Sequence, residues 1–119
     1  MSNPLESVVK RQICDYLNTL PDSDIMFWIS ESVGIYDPKR RVFRRKNSLY
    51  QRKGIADILG IYKGKPLAIE VKRQGSNQIS DEQKKFILEF ERKGGIAFIA
   101  RSIDDVRYEF SLRFGNERN

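Results

Sequence analysis

Three observations predict an α/β domain whose central sheet is covered by helices. Stretches with helical periodicity alternate with short apolar runs of strand length. Two of those runs follow one another across a tight polar turn, as in an antiparallel hairpin. The chain has 119 residues, 39% hydrophobic and 11% aromatic. At that length a domain buries roughly two thirds of the surface its unfolded chain exposes. Residues 1–119 read as one domain, with no internal repeat, low-complexity segment or linker.

Each element has its own signal. Leu5, Val8, Val9, Ile13, Tyr16, Leu17 and Leu20 recur on one helix face. Asn3 suits the N-cap and Pro4 the first helical position, so the helix is expected from near Pro4 to before Pro21. Ile25–Ser30 reads as a buried strand, with Trp28 in the core. The next stretch is irregular and cationic, with a short strand at Val42–Arg45. Ile55–Tyr62 and Leu67–Arg73 are strands. A helix follows over Asp81–Lys93, capped by Ser80 and stopped at Gly94. Its Phe86, Ile87 and Phe90 are core residues. Ile96–Ala100 is another buried strand, and Ser102 opens a short final helix with Asp104 and Asp105 in its first turn.

Composition narrows the function. Lys plus Arg number 22 against 16 for Asp plus Glu, a formal net charge of +6. The excess is concentrated at Lys39, Arg40, Arg41, Arg44, Arg45, Lys46, Arg52 and Lys53, with no acid between the first and the last. Such a run fits a polyanion, with nucleic acid the natural partner, although a solvated basic loop is the plainer alternative. No apolar run approaches a membrane span, and the N-terminus lacks the apolar block of a signal peptide. The expectation is a soluble, cytoplasmic protein. The chain has no histidine and one cysteine. Cys14 therefore has no internal disulfide partner and no histidine to activate it, so it reads as a small buried hydrophobe. Any metal used here must favour oxygen ligands, as Mg²⁺ and Mn²⁺ do.

The hairpin carries the chemistry. A turn centred on Lys63-Gly64 sets Leu59 opposite Ala68 and Asp57 opposite Glu70. Ala68, Glu70 and Lys72 then share a face with Ile55, Asp57 and Leu59. Ala56, Ile58, Gly60, Leu67, Ile69 and Val71 fall on the other face, which packs on a helix. Two carboxylates come to Cβ atoms about 5 Å apart, where like charges destabilise a sheet. Lys72 offsets part of that repulsion, and a divalent cation between the acids would offset the rest. A turn of odd length would slip the register and separate them. Solvated acids with an ordinary salt bridge are the alternative.

Asp57, Glu70 and Lys72 resemble the signature of the PD-(D/E)XK nucleases. The blocks "RKGIADILGI", "LAIEVKR", "ISDEQKKFI" and "GGIAFIARSIDDV" together resemble the VRR-NUC group, related to archaeal-type Holliday-junction resolvases. Ala56 stands where that superfamily often has proline, as is usual in this branch.

The resemblance implies a restriction-endonuclease-like mixed sheet flanked by helices, and a Mg²⁺- or Mn²⁺-dependent DNA endonuclease. Asp57, Glu70 and the Val71 carbonyl would be the metal ligands, and Lys72 would position the attacking water. Glu6 on the first helix would point into the site and bind a second metal ion, directly or through water, although Asn3-x-x-Glu6 is also a capping box. Gln83 would contact the site as well as close the Ser80-x-x-Gln83 capping box. Either Ser30 or Ser32 would lie beside the phosphate, unless both simply end a strand. Tyr36, Tyr50 and the cations from Lys39 to Lys53 would contact DNA. Junction-cutting relatives act as homodimers, and stand-alone members this short are commonly encoded by phages.

Overall fold

The computed structural model describes residues 4–30, 35–44, 50 and 52–115. Helix α1 (Glu6–Leu17) buries Val9, Ile13 and Leu17, spaced four residues apart on one face. It begins later than its sequence suggests. Leu5 is the N-cap, extended and without a side-chain cap bond, and its carbonyl accepts from the amides of Val8 and Val9 at 3.0 and 3.1 Å. Asn3, the expected cap, lies outside the described residues.

Strands β1 (Ile25–Ile29), β4 (Ile58–Tyr62), β5 (Lys65–Val71) and β6 (Ile96–Ala100) form one sheet in the order β1-β4-β5-β6. β2 (Ile35–Asp37) and β3 (Val42–Arg44) form a separate antiparallel pair. The irregular stretch thus holds one strand more than its sequence announces. In the main sheet β1 pairs antiparallel with β4, β4 antiparallel with β5, and β5 parallel with β6. Helix α2 (Asp81–Arg92) makes the crossover between the two parallel strands. The architecture is therefore a mixed sheet flanked by helices.

Lys63 and Gly64 turn the β4–β5 hairpin with φ of 48° and 82°, both in the left-handed region. Two positive φ values match the right-handed twist of the flanking strands. Tyr62 pairs with Lys65 and Leu59 with Ala68, the register expected from the sequence.

The sheet buries its two faces unequally. Ile58, Leu67, Ile69 and Val71 join Val9, Ile13 and Leu17 in the larger core, with Val106 and Phe110 from helix α3 (Ile103–Phe114). Phe110 stacks on Tyr62 with ring centroids 4.1 Å apart. The length of α3 exceeds expectation, because Val106, Phe110 and Phe114 extend one packing face through its last turn. On the other face a smaller cluster of Ala56, Ala68, Phe86 and Ala97 lies beneath α2.

Two burial expectations are corrected. Ala56 packs in the smaller cluster rather than beside Ile58, because strand alternation begins only at Ile58. Trp28 is 46% exposed and Met26 64% exposed, so β1 is an edge strand buried through Ile25 and Phe27. An apolar run does not reveal that α2 covers β5 and β6 and stops short of β1. Among the described residues no helix is long and apolar enough to cross a membrane.

Candidate active site

The paired register of the hairpin ends at Ile58 and Ile69, and Asp57, the residue just before β4, brings its carboxylate against Glu70, the residue after Ile69 on β5. Main-chain bonds fix the Asp57 end. The Val71 amide donates to Asp57 Oδ2 at 2.8 Å, and the Ser30 amide donates to the Asp57 carbonyl at 2.7 Å. Asp57 thus ties β1 and β5 together just before β4 begins.

Glu70 is 3% exposed and is the only buried charged side chain among the described residues. Burial, more than any other cause, pushes its carboxyl up to about 8. A hydrogen bond with Asp57, the charge of Asp57 and the more remote charge of Glu6 push the same way, while Lys72 pulls it back. Without a cation, Glu70 therefore holds its proton near neutral pH.

The Gln83 side chain closes the cap of α2 and also reaches Glu70. Its amide and the Ser80 hydroxyl complete the capping box: Ser80 N–H donates to Gln83 Oε1 at 3.0 Å, and Gln83 N–H donates to Ser80 Oγ at 3.1 Å. The remaining donor, Nε2, reaches Glu70 Oε2 at 3.0 Å. The cap that starts α2 thereby aims an amide at the buried acid.

Lys72 follows Val71 at the carboxyl end of β5, half-buried, its amide bound to the Ala100 carbonyl at 3.0 Å. Glu6 is near enough to act on Glu70 through its charge, yet it does not join the two acids. Among the described residues no three His, Cys, Asp or Glu side chains form a group able to hold a metal ion. Lys10, one helical turn beyond Glu6, makes the closer approach: its Nζ lies 3.6 Å from Asp57 Oδ1. Sequence reasoning passed over Lys10. Its i+4 spacing from Glu6 was the available signal.

The donor set suits a hard divalent cation. Two carboxylates on adjacent chain segments meet where their charges repel, and Mg²⁺ commonly takes only one or two carboxylates, filling its remaining positions with water and phosphate oxygens. Asp57, Glu70 and the Val71 carbonyl are the groups that would hold it.

The cationic segment is dispersed. Lys39, Arg40 and Arg41 are exposed on the turn joining β2 to β3, with Arg41 at φ 54°, and Arg44 ends β3. Arg52 is drawn onto α2, with Nη2 2.8 Å from Glu89 Oε1 and its guanidinium 5.4 Å from the Phe86 ring centre. Lys53 is exposed beside it. Arg45, Lys46 and Ser32 lie outside the described residues, whereas Ser30 sits against Asp57 through its backbone. Tyr50 is exposed and Tyr36 falls within β2. Cys14 is half-buried, and burial pushes its thiol up, away from the nucleophilic form.

One solved structure, a "VRR_NUC domain protein", matches with a TM-score of 0.63 over 92% of this chain and 88% of its own, at 19% identity. The two chains share a fold. At that identity the likeness concerns architecture alone, a mixed sheet with flanking helices. No family model and no curated protein sequence matches the chain.

Proposed function

We propose that the protein is a metal-dependent DNA endonuclease that hydrolyses phosphodiester bonds. The observation that carries this reading is the Asp57–Glu70 pair, two carboxylates in contact with one of them buried, flanked by Lys72. A structural hairpin gains nothing from such a pair, because burying an acid beside a second one costs stability whether it is ionised or forced to keep its proton. The VRR-NUC architecture supports the same conclusion.

In this reading Asp57, Glu70 and the Val71 carbonyl hold Mg²⁺ or Mn²⁺, and Glu6 contributes through water. Once bound, the ion would supply charge neutralisation at the phosphate and a more acidic water. The chain's own residues do the rest. Lys72 donates to the attacking water or to the developing charge on the phosphate. Gln83 keeps Glu70 oriented. Lys39, Arg40, Arg41, Arg44, Arg45, Lys46 and Lys53 contact the DNA backbone, and Arg52 joins them if it leaves Glu89. The product carries a 5′-phosphate, with inversion at phosphorus. Branched DNA such as a Holliday junction and plain duplex are both candidate substrates; cutting a junction symmetrically would call for a homodimer, which presents two sites related by a two-fold axis.

The test is cleavage of labelled duplex and four-way-junction DNA with Mg²⁺, with Mn²⁺ and with chelator, beside Glu70→Ala. Cutting that needs metal and vanishes in the variant supports the reading. Binding without cutting under every condition refutes it and leaves a non-catalytic DNA-binding module.

A further inference from the structure

We propose that Lys10 is a built-in counter-ion that occupies the Asp57 side of the site and competes with the entering divalent cation. The inference rests on the nuclease reading for the identity of that cation, but its test reads affinity rather than cleavage.

The argument starts from which oxygen of Asp57 is available. Oδ2 accepts from the Val71 amide at 2.8 Å, so the carboxylate is pinned and does not turn freely. Oδ1 is the Asp57 oxygen without that main-chain donor and so the more open to a cation, and Lys10 Nζ faces it at 3.6 Å. Both side chains are mostly shielded, Lys10 being 28% and Asp57 22% exposed. This pair is accordingly less screened than a surface contact. Glu70 is anchored likewise, its Oε2 accepting from Gln83 Nε2 at 3.0 Å. One oxygen of each acid is thus held by an N–H, and the positive charge beside the remaining oxygen of Asp57 belongs to Lys10.

Helix geometry explains how the ammonium gets there. Val9 and Ile13 seat α1 on the sheet, and Lys10 follows Val9 on the flank nearest the hairpin. A lysine stem is long and flexible, so Nζ is able to withdraw from Oδ1 without moving the helix. With no divalent ion bound, Lys10 balances the negative charge of the half-buried Asp57. When the ion arrives, two cations compete for one carboxylate oxygen and Lys10 is displaced. The lysine therefore stabilises the metal-free fold at the expense of metal affinity.

Lys10→Met keeps the stem and removes the charge. Titrating MnCl₂ alone into the chelator-stripped protein, with free Mn²⁺ read by its paramagnetic resonance signal, should show about two- to fivefold tighter binding in the variant. The urea midpoint of the stripped variant should fall. Lys85→Met, which removes an exposed charge from α2, should leave Mn²⁺ affinity unchanged and so exclude a general effect of net charge. If Lys10→Met binds Mn²⁺ no tighter than the parent, or if Lys85→Met tightens it equally, the counter-ion proposal falls while the metal site stands. If no form binds Mn²⁺, both fall.

Discussion

Gly54 offers the sharpest test of how α2 is seated against the site. Its φ is +80°, and an added Cβ would lie 2.5 Å from the Glu82 carbonyl carbon, 2.6 Å from its oxygen and 2.7 Å from the Gln83 amide nitrogen. Ordinary contact begins at 3.4 Å, so at the Glu82 oxygen the backbones must separate by about 0.8 Å. Gly64 is the natural control. Its φ is +82°, and nothing lies within 4 Å of an added Cβ. Gly64→Ala should cost only the backbone penalty, about 1 kcal/mol. Gly54→Ala should cost that plus overpacking, about 2–4 kcal/mol in total. The displaced part is the first turn of α2, so the Gln83 Nε2 to Glu70 Oε2 bond at 3.0 Å should also break. Urea unfolding gives the two stabilities, and metal-dependent cleavage gives the functional consequence. Gly54→Ala should lose most of its activity under conditions where it is folded, whereas Gly64→Ala keeps it. Equal midpoints and equal cleavage rates for the two variants would refute the reasoning.

Glu70→Gln should abolish cleavage when metal is present and, in chelator, stabilise the protein at pH 7 by about 3 kcal/mol. The sign follows from a carboxyl raised from 4.5 to about 8 in the fold: stability is greatest below 4.5 and declines as pH rises toward 8. Urea midpoints measured across that range should fall for the parent and stay flatter for the variant. Ser80→Ala and Gln83→Leu both damage the capping box, each costing about 1 kcal/mol, but only Gln83→Leu should suppress cleavage, because only it removes the donor to Glu70. Replacing Arg40 and Arg41 with Gln should lower the salt slope of DNA binding by about 0.9 for each phosphate that is no longer neutralised. Fluorescence anisotropy from low to moderate salt measures it, and an unchanged slope would remove that turn from the interface.

The site was more legible than its surroundings, for reasons specific to the residues. A two-residue turn at Lys63-Gly64 sets the hairpin register as far as Ile58 and Ile69, which brings the next residues, Asp57 and Glu70, into reach of each other. The Ser80-x-x-Gln83 pattern marks both the start of α2 and the amide that reaches Glu70. Burial on β1 was illegible, because Ile25–Ile29 is apolar on both sides and only the position of α2 decides which side is covered. Ala56 escaped because alternation holds only within the strand, and the backbone from Gly54 to Asp57 approaches β4 irregularly. Lys10 escaped for a different reason. Local sequence pairs it with its own helix, and its partner across the fold appears only when α1 packs on the sheet.

The two cores divide the labour between stability and chemistry. The larger core, built from α1, α3 and one sheet face, holds most of the bulky fully buried residues and supplies the bulk of the stabilisation. The smaller one is built chiefly from alanines, with Ala68 on β5 paired to Ala97 on β6 beneath Phe86. Small side chains bury little apolar area, but they let a helix approach a sheet closely. That approach matters here because the donor on Gln83 must span the gap to Glu70, and Gly54 permits the same closeness from the side. Larger residues at these positions would add hydrophobic burial and lift α2 away from β5. The thin core is thus a condition of the amide–carboxyl contact, and its modest contribution to stability follows from serving that contact.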